Sequence, residues 1–142
     1  AKEAITIAGL EKFDNKVVVD VTNPLDFSQG VPPKFTASVG NSLGEEIQRL
    51  IPNANVVKAF NTISAYIMVN PKLEEGTATQ FIAGNNIEAK ETVSNLSKEF
   101  GWDIEDLGNI EQSFLLEAHA MLWITYGFKH NHWTHAFKLL KK

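Results

Sequence analysis

The run Lys16-Val17-Val18-Val19-Asp20-Val21 constrains this chain more than any other stretch. Consecutive β-branched side chains are stiff at χ1 and fit a pleated strand. The run shows no polar–apolar alternation, so both faces of the strand need cover, which favours a parallel sheet with helices on both sides. Two further apolar runs, Asn55 to Phe60 and Thr79 to Gly84, read as strands of the same sheet. Trp102 to Leu107 alternates apolar and polar residues and reads as a half-exposed edge strand.

Helices are expected between these runs. Asn41 or Ser42 can cap a helix that carries Leu43, Ile47, Leu50 and Ile51 and stops at Pro52. Asn85 or Asn86 caps a second, with Ile87, Val93, Leu96 and Phe100, ended by Gly101. Ile110 to Phe128 is long and largely apolar, as a core or interface helix would be. Ala1 to Leu10 reads as a helix end or the approach to a strand. Residues 22–35 and 71–77 read as loop, 61–69 as a short helix or irregular turn, and Trp133 to Leu140 as a helix end or a last strand. The alternation of strand and helix predicts one α/β domain over 1–142.

Composition narrows the function. A net charge of −4 without a basic patch argues against nucleic acid. The chain has no cysteine, which removes disulfides, thiolate metal sites and cysteine nucleophiles. No apolar run reaches the roughly 18 residues of a membrane span, and no signal peptide is visible, so the cytoplasm is the expected location.

In open parallel sheets ligands bind beyond the carboxyl ends of the strands. Two such ends carry short polar residues: Thr22-Asn23-Pro24 and Asn61-Thr62. An asparagine both donates and accepts, as recognition of a carboxamide requires. Alternatively, Asn23 initiates a turn and Asn61 caps a helix. The loop Ser38 to Ser42 offers an anion site at a helix N-terminus, or else it is a capped helix start. His130, His132 and His135 have a spacing compatible with a metal, but no carboxylate reinforces them, and surface or interface roles compete. His119 reads as packing or as substrate-facing. Glu117, in an apolar helix, needs a partner, either a backbone group or a reaction.

The residues themselves carry a resemblance. Lys16 to Leu25 resembles a strand end of the coenzyme F-420-dependent NADP oxidoreductases. Ser42 to Pro52 resembles the helix that follows, and Val56-Val57-Lys58-Ala59-Phe60-Asn61-Thr62 resembles a motif that this family shares with the reductase domains of the STEAP metalloreductases. The resemblance is specific from about Lys16 to Ser64 and stays collinear through Phe81-Ile82-Ala83-Gly84-Asn85 and Leu115-Leu116-Glu117.

This resemblance implies a Rossmann-like domain that binds NADP(H) and exchanges hydride with a flavin- or deazaflavin-like acceptor. No protein acid or base is then obligatory, because the cofactor carries the chemistry. It places Thr22, Asn23 and Pro24 near the nicotinamide end, and Ala59, Phe60, Asn61 and Thr62 beside the nicotinamide or the acceptor ring. The family's first strand, Gly-x-Gly-x-x-Gly turn and helix have no counterpart in these 142 residues. The chain is therefore expected to be the C-terminal portion of a truncated domain, with weak cofactor binding and a strand edge that favours a homodimer. The competing expectation is a non-catalytic, dimerising Rossmann remnant. Asn61→Ala is expected to cost about 1 kcal/mol, the worth of one hydrogen bond.

Overall fold

A computed structural model describes all of residues 1–142. The chain begins with α1 (Lys2–Ala8) and a 3-10 turn (Leu10–Phe13), followed by β1 (Val17–Asp20), β2 (Leu25–Asp26), β3 (Lys34–Phe35), α2 (Leu43–Leu50) and β4 (Asn55–Lys58). It continues through β5 (Lys72–Leu73), β6 (Gly76–Thr77), β7 (Thr79–Gly84), α3 (Ile87–Glu99), β8 (Asp103–Asp106), a second 3-10 turn (Ile110–Gln112) and α4 (Ser113–His130).

The main sheet has the order β1-β4-β7-β8. The alternation of side chains across β4 sends Val56 and Val57 to opposite faces. Val57 joins Ala59, Phe60, Ile82, Ala89, Val93 and Trp102 beneath α3. Val56 joins Ile47, Ile51, Ala54 and Ile110 beneath α2 and the second 3-10 turn. The sheet therefore has helices on both faces, as an α/β Rossmann-like domain requires. α4 lies on the α2 side and packs against α2 and β7.

Several expectations are corrected. The sheet is not wholly parallel: β1 and β4 are parallel, as are β7 and β8, but β4 and β7 run antiparallel. A parallel return needs a crossover, usually a helix. Residues 59–78 contain only irregular chain and the small β5–β6 hairpin, so β7 comes back beside β4 in the opposite direction. β1 lies at an edge with Val17 exposed, not buried on both faces. The expected loops at 22–35 and 71–77 each hold a short two-stranded hairpin. Residues 133–140 form neither helix nor strand but an extended strap. It is held where Thr79 N donates to the Phe137 carbonyl (2.9 Å) and Leu139 N donates to Thr79 Oγ1 (3.1 Å).

Helix ends follow the sequence signals. Ser42 caps α2 in a reciprocal box: its hydroxyl accepts from Glu45 N, and its own amide donates to the Glu45 carboxylate. Asn86 caps α3 by accepting from Ala89 N (2.8 Å). Gly44 lets α2 approach closely, because a Cβ there would lie 2.4 Å from Ser113 Oγ. No helix is long and apolar enough to cross a membrane.

Candidate functional site

The carboxyl ends of β1 and β4 are held by a buried cluster of charges. Lys58, Asp20 and Glu117 are all essentially inaccessible to solvent. Lys58 Nζ lies 2.8 Å from Glu117 Oε1 and donates to the Thr22 carbonyl at 2.8 Å. Asp20 Oδ2 lies 2.5 Å from the same ammonium as an ion pair without hydrogen-bond geometry. Asp20 Oδ1 accepts from Thr22 N (2.9 Å) and Thr22 Oγ1 (2.6 Å).

Two carboxylates against one ammonium leave an excess negative charge, which α2 absorbs. Glu117 Oε2 accepts from Leu43 N (3.0 Å), and Oε1 accepts from Gly44 N (2.9 Å). These amides are orphan donors at the positive end of the helix dipole. Glu117 is thus the anion at this helix N-terminus. The Ser38–Ser42 loop is a capped helix start, and its first amides are already committed. Glu117 accordingly has both a backbone partner and an ionic one.

The two strand-end asparagines clip to each other. Asn23 Nδ2 donates to the Asn61 carbonyl (2.8 Å), and Asn61 Nδ2 donates to Asn23 Oδ1 (3.0 Å). The second Asn61 proton goes to the Leu116 carbonyl of α4 (2.8 Å). Asn61 caps no helix, since residues 61–69 contain none. The preceding Phe60 takes the left-handed conformation, φ 55°, which is rare for a bulky residue and costs on the order of 1–3 kcal/mol. Its ring is anchored against Phe100 and Trp102, at 6.0 and 6.2 Å between centroids. The turn directs Asn61 across the strand ends to Asn23 and α4.

The seven residues expected at the cofactor do not line one cleft. Asn23 and Pro24 line a cleft of about 300 Å³ that they share with Leu25, Thr36 and Asn41. Phe60, Asn61 and Thr62 line a separate small cavity, with Gln80, Leu116 and His119. Thr22 lies beneath, bound to Asp20 and Lys58, and touches neither. Ala59 is fully buried in the core, so its side chain is structural. The sequence reading missed Lys58 as the shared partner of Asp20 and Glu117, and it missed Gln80. The signal available was a charged residue set inside each of three apolar runs, Asp20 and Glu117 of one sign and Lys58 of the other.

His119 projects from α4 between aromatic rings. Its centroid is 5.6 Å from Phe81, edge-on, and 4.3 Å from Phe137. Burial alone holds its pKa below the ordinary 6.5. The unfolded chain therefore takes up this proton first as pH falls through 6.5, and stability present above that value is lost at lower pH. His119→Phe is expected to flatten the fall in thermal midpoint between about pH 7 and 5. An unchanged slope would remove His119 from the acid sensitivity of the fold.

The C-terminal histidines are used in aromatic packing. His135 stacks on Trp123 at 4.6 Å and 17°, and Trp123 Nε1 donates to the His135 carbonyl at 2.8 Å. His130 packs on Tyr126. No group of three or more His, Cys, Asp or Glu side chains is placed to hold a metal ion.

No family model matches the chain. The solved structure of a proposed F420-dependent NADP-reductase from Arthrobacter sp. FB24 superposes with a TM-score of 0.92 at 39% identity, over 98% of this chain and 64% of the other. The metalloreductase STEAP3 of Rattus norvegicus is 32% identical over 109 residues, 76% of this chain. The chain is related to reductases. STEAP2 of Mus musculus is 28% identical over 103 residues, 72% of this chain. A structure from Sinorhizobium meliloti, described as a hypothetical protein, matches at a TM-score of 0.60 and 31% identity, over 77% of this chain and 53% of the other. The chain spans about a fifth of the length of these curated relatives and under two thirds of the Arthrobacter protein. Both resemblances drawn from the sequence reappear in these comparisons.

Proposed function

We propose that this chain is the nicotinamide-proximal portion of an NADP(H)-dependent oxidoreductase, exchanging hydride with a flavin- or deazaflavin-like acceptor. The observation that carries the reading is the clip at the strand ends, in a fold that superposes on a proposed F420-dependent NADP-reductase. Asn23 spends one of its two amide protons on the clip, and Asn61 commits both protons but not its Oδ1 oxygen. One donor and one acceptor remain, the pair that a nicotinamide carboxamide requires. The residues therefore fit the nicotinamide end of the cofactor.

Nothing in these residues fits the pyrophosphate. No Gly-x-Gly-x-x-Gly turn is present, and the amides at the start of α2 are taken by Glu117 and Ser42. Weak binding of NADP(H) by these 142 residues follows, in a protein whose composition fits the cytoplasm.

When bound, NADPH supplies the hydride: NADPH, oxidised flavin and a proton give NADP⁺ and reduced flavin. The protein orients the nicotinamide through Asn23 and Asn61 and needs no acid or base of its own. The test is NADPH oxidation with riboflavin as acceptor. The chain is expected to accelerate it over the protein-free mixture, and the proposal fails if the two rates are equal.

One observation favours the second reading, an association module. Leu115, Leu122 and Tyr126 are 53%, 60% and 45% exposed along one face of α4. We propose that this face pairs two copies into a homodimer, and a monomer in light scattering at micromolar concentration would contradict that.

A further inference from the structure

We infer that the end of the strap, residues 136–142, is a pH-responsive latch, docked while His119 is neutral and released when it is protonated. Release uncovers the small cavity lined by Asn61 and Thr62. The latch goes beyond the reading above and holds whatever that cavity receives.

The strap has one firm anchor. Trp133 packs on Trp123 and Phe128, His135 stacks on Trp123, and Trp123 Nε1 donates to the His135 carbonyl. Beyond His135 the chain forms neither helix nor strand. Thr79 N donates to the Phe137 carbonyl, and Leu139 N donates to Thr79 Oγ1. Lys138 donates to the Thr77 carbonyl and pairs with Asp103, and Lys141 pairs with Glu105. These ion pairs are solvent-exposed and contribute little. A terminal segment tied down in this way opens at a lower free energy than the core.

Phe137 is the latch residue that meets His119, with ring centroids 4.3 Å apart. Ala136 and Phe137 close the cavity that His119, Asn61 and Thr62 also line. The side chains that share both cavities of His119 come from β7, the strap, the turn after β4 and α4 itself, and none of them is charged or titratable. On its own helix, Glu117 is spent on Lys58 and the first amides of α2. On the strap, Lys138 is a cation already committed to Thr77 and Asp103. No counter-ion therefore compensates an imidazolium at this place. A cation–π contact with Phe137 is weak at a partly exposed site and does not replace water at two N–H donors. The imidazolium regains that water by parting from Phe137.

Burial lowers the pKa of His119 below 6.5, in keeping with this geometry. The released strap therefore takes up the proton first. Docking is complete above 6.5 and is lost progressively as pH falls below it.

The test is hydrogen exchange of the native chain, followed by NMR at about pH 7.5 and about pH 5, with intrinsic rates divided out. The Thr79 and Leu139 amides report the latch, and the Ala59 amide, bonded to the Asp20 carbonyl within the main sheet, reports global unfolding. Thr79 and Leu139 should be less protected than Ala59 at both values. Their protection should fall about three- to thirtyfold on acidification, the upper limit being that of a released imidazole titrating at 6.5. His119→Phe should remove the fall, and so should His119→Leu, which avoids the larger ring. His135→Phe, which replaces the neighbouring strap imidazole, should leave the fall in place. The latch is overturned by a fall below about threefold, or by a fall that persists in both His119 variants or disappears in His135→Phe. One common protection for all three amides would overturn it as well. None of these readouts involves NADP(H) or an acceptor, so failure of the hydride-transfer reading leaves them unchanged.

Discussion

Replacing Lys58 by methionine is expected to destabilise the chain by about 3–5 kcal/mol, the penalty of removing one partner from a buried ion pair. The variant leaves Asp20 and Glu117 facing each other without a cation, in a place from which water is excluded. It also strips the Thr22 carbonyl of its donor. For a chain of this size about 2–4 °C accompany each kcal/mol, so the thermal midpoint should fall by on the order of 10 °C or more. Adding Asp20→Asn and Glu117→Gln should restore part of the loss, because the unpaired charges cause most of it. A single-variant loss below about 1 kcal/mol would show that the cluster is not buried as described.

Asn61→Asp should be the next most damaging change, at about 2–3 kcal/mol, although it leaves the number of heavy atoms unchanged. Both Asn61 protons point at acceptors, Asn23 Oδ1 and the Leu116 carbonyl. A carboxylate there sets three acceptors against one another in a buried site. Asn61→Ala removes the donors without adding a charge and should cost about 1–2 kcal/mol. That exceeds the single hydrogen bond expected from sequence, because Asn61 ties β1, β4 and α4 together. Chemical denaturation of the two variants measures the difference. An Asp variant more stable than the Ala variant would mean that the clip is not formed.

Much of this architecture was legible because it follows from local rules. Apolar β-branched runs gave β1, β4 and β7, and Ser42 and Asn86 announced their helices by cap chemistry. The antiparallel return of β7 was not legible. It depends on the absence of a crossover helix between residues 59 and 78, and the sequence reading allowed a helix at 61–69. The edge position of β1 depends on sheet order, which no local pattern states.

The candidate site divides in the same way. Asn23 and Asn61 stood out because polar residues past strand ends are conspicuous. That they bind each other could not be read, since 38 positions separate them. Ala59 belongs to a motif, yet its side chain serves the core. Only Glu117 looked like an exception within an apolar run, while Asp20 and Lys58 passed as members of their strands, and the meaning of all three emerges only when three elements bring them to one point. Gln80 was hidden in a strand pattern, because periodicity does not distinguish a buried polar side chain with a partner from one without.

The claim that the strand ends receive nicotinamide is tested most directly by amide NMR of the native chain titrated with reduced nicotinamide mononucleotide. The account predicts saturable shifts at the Asn23 and Asn61 side-chain amides and at the Thr62 backbone amide, reached at millimolar ligand because no pyrophosphate turn assists. Resonances at these three positions that stay fixed up to saturating ligand, or shifts confined to other parts of the chain, would contradict it.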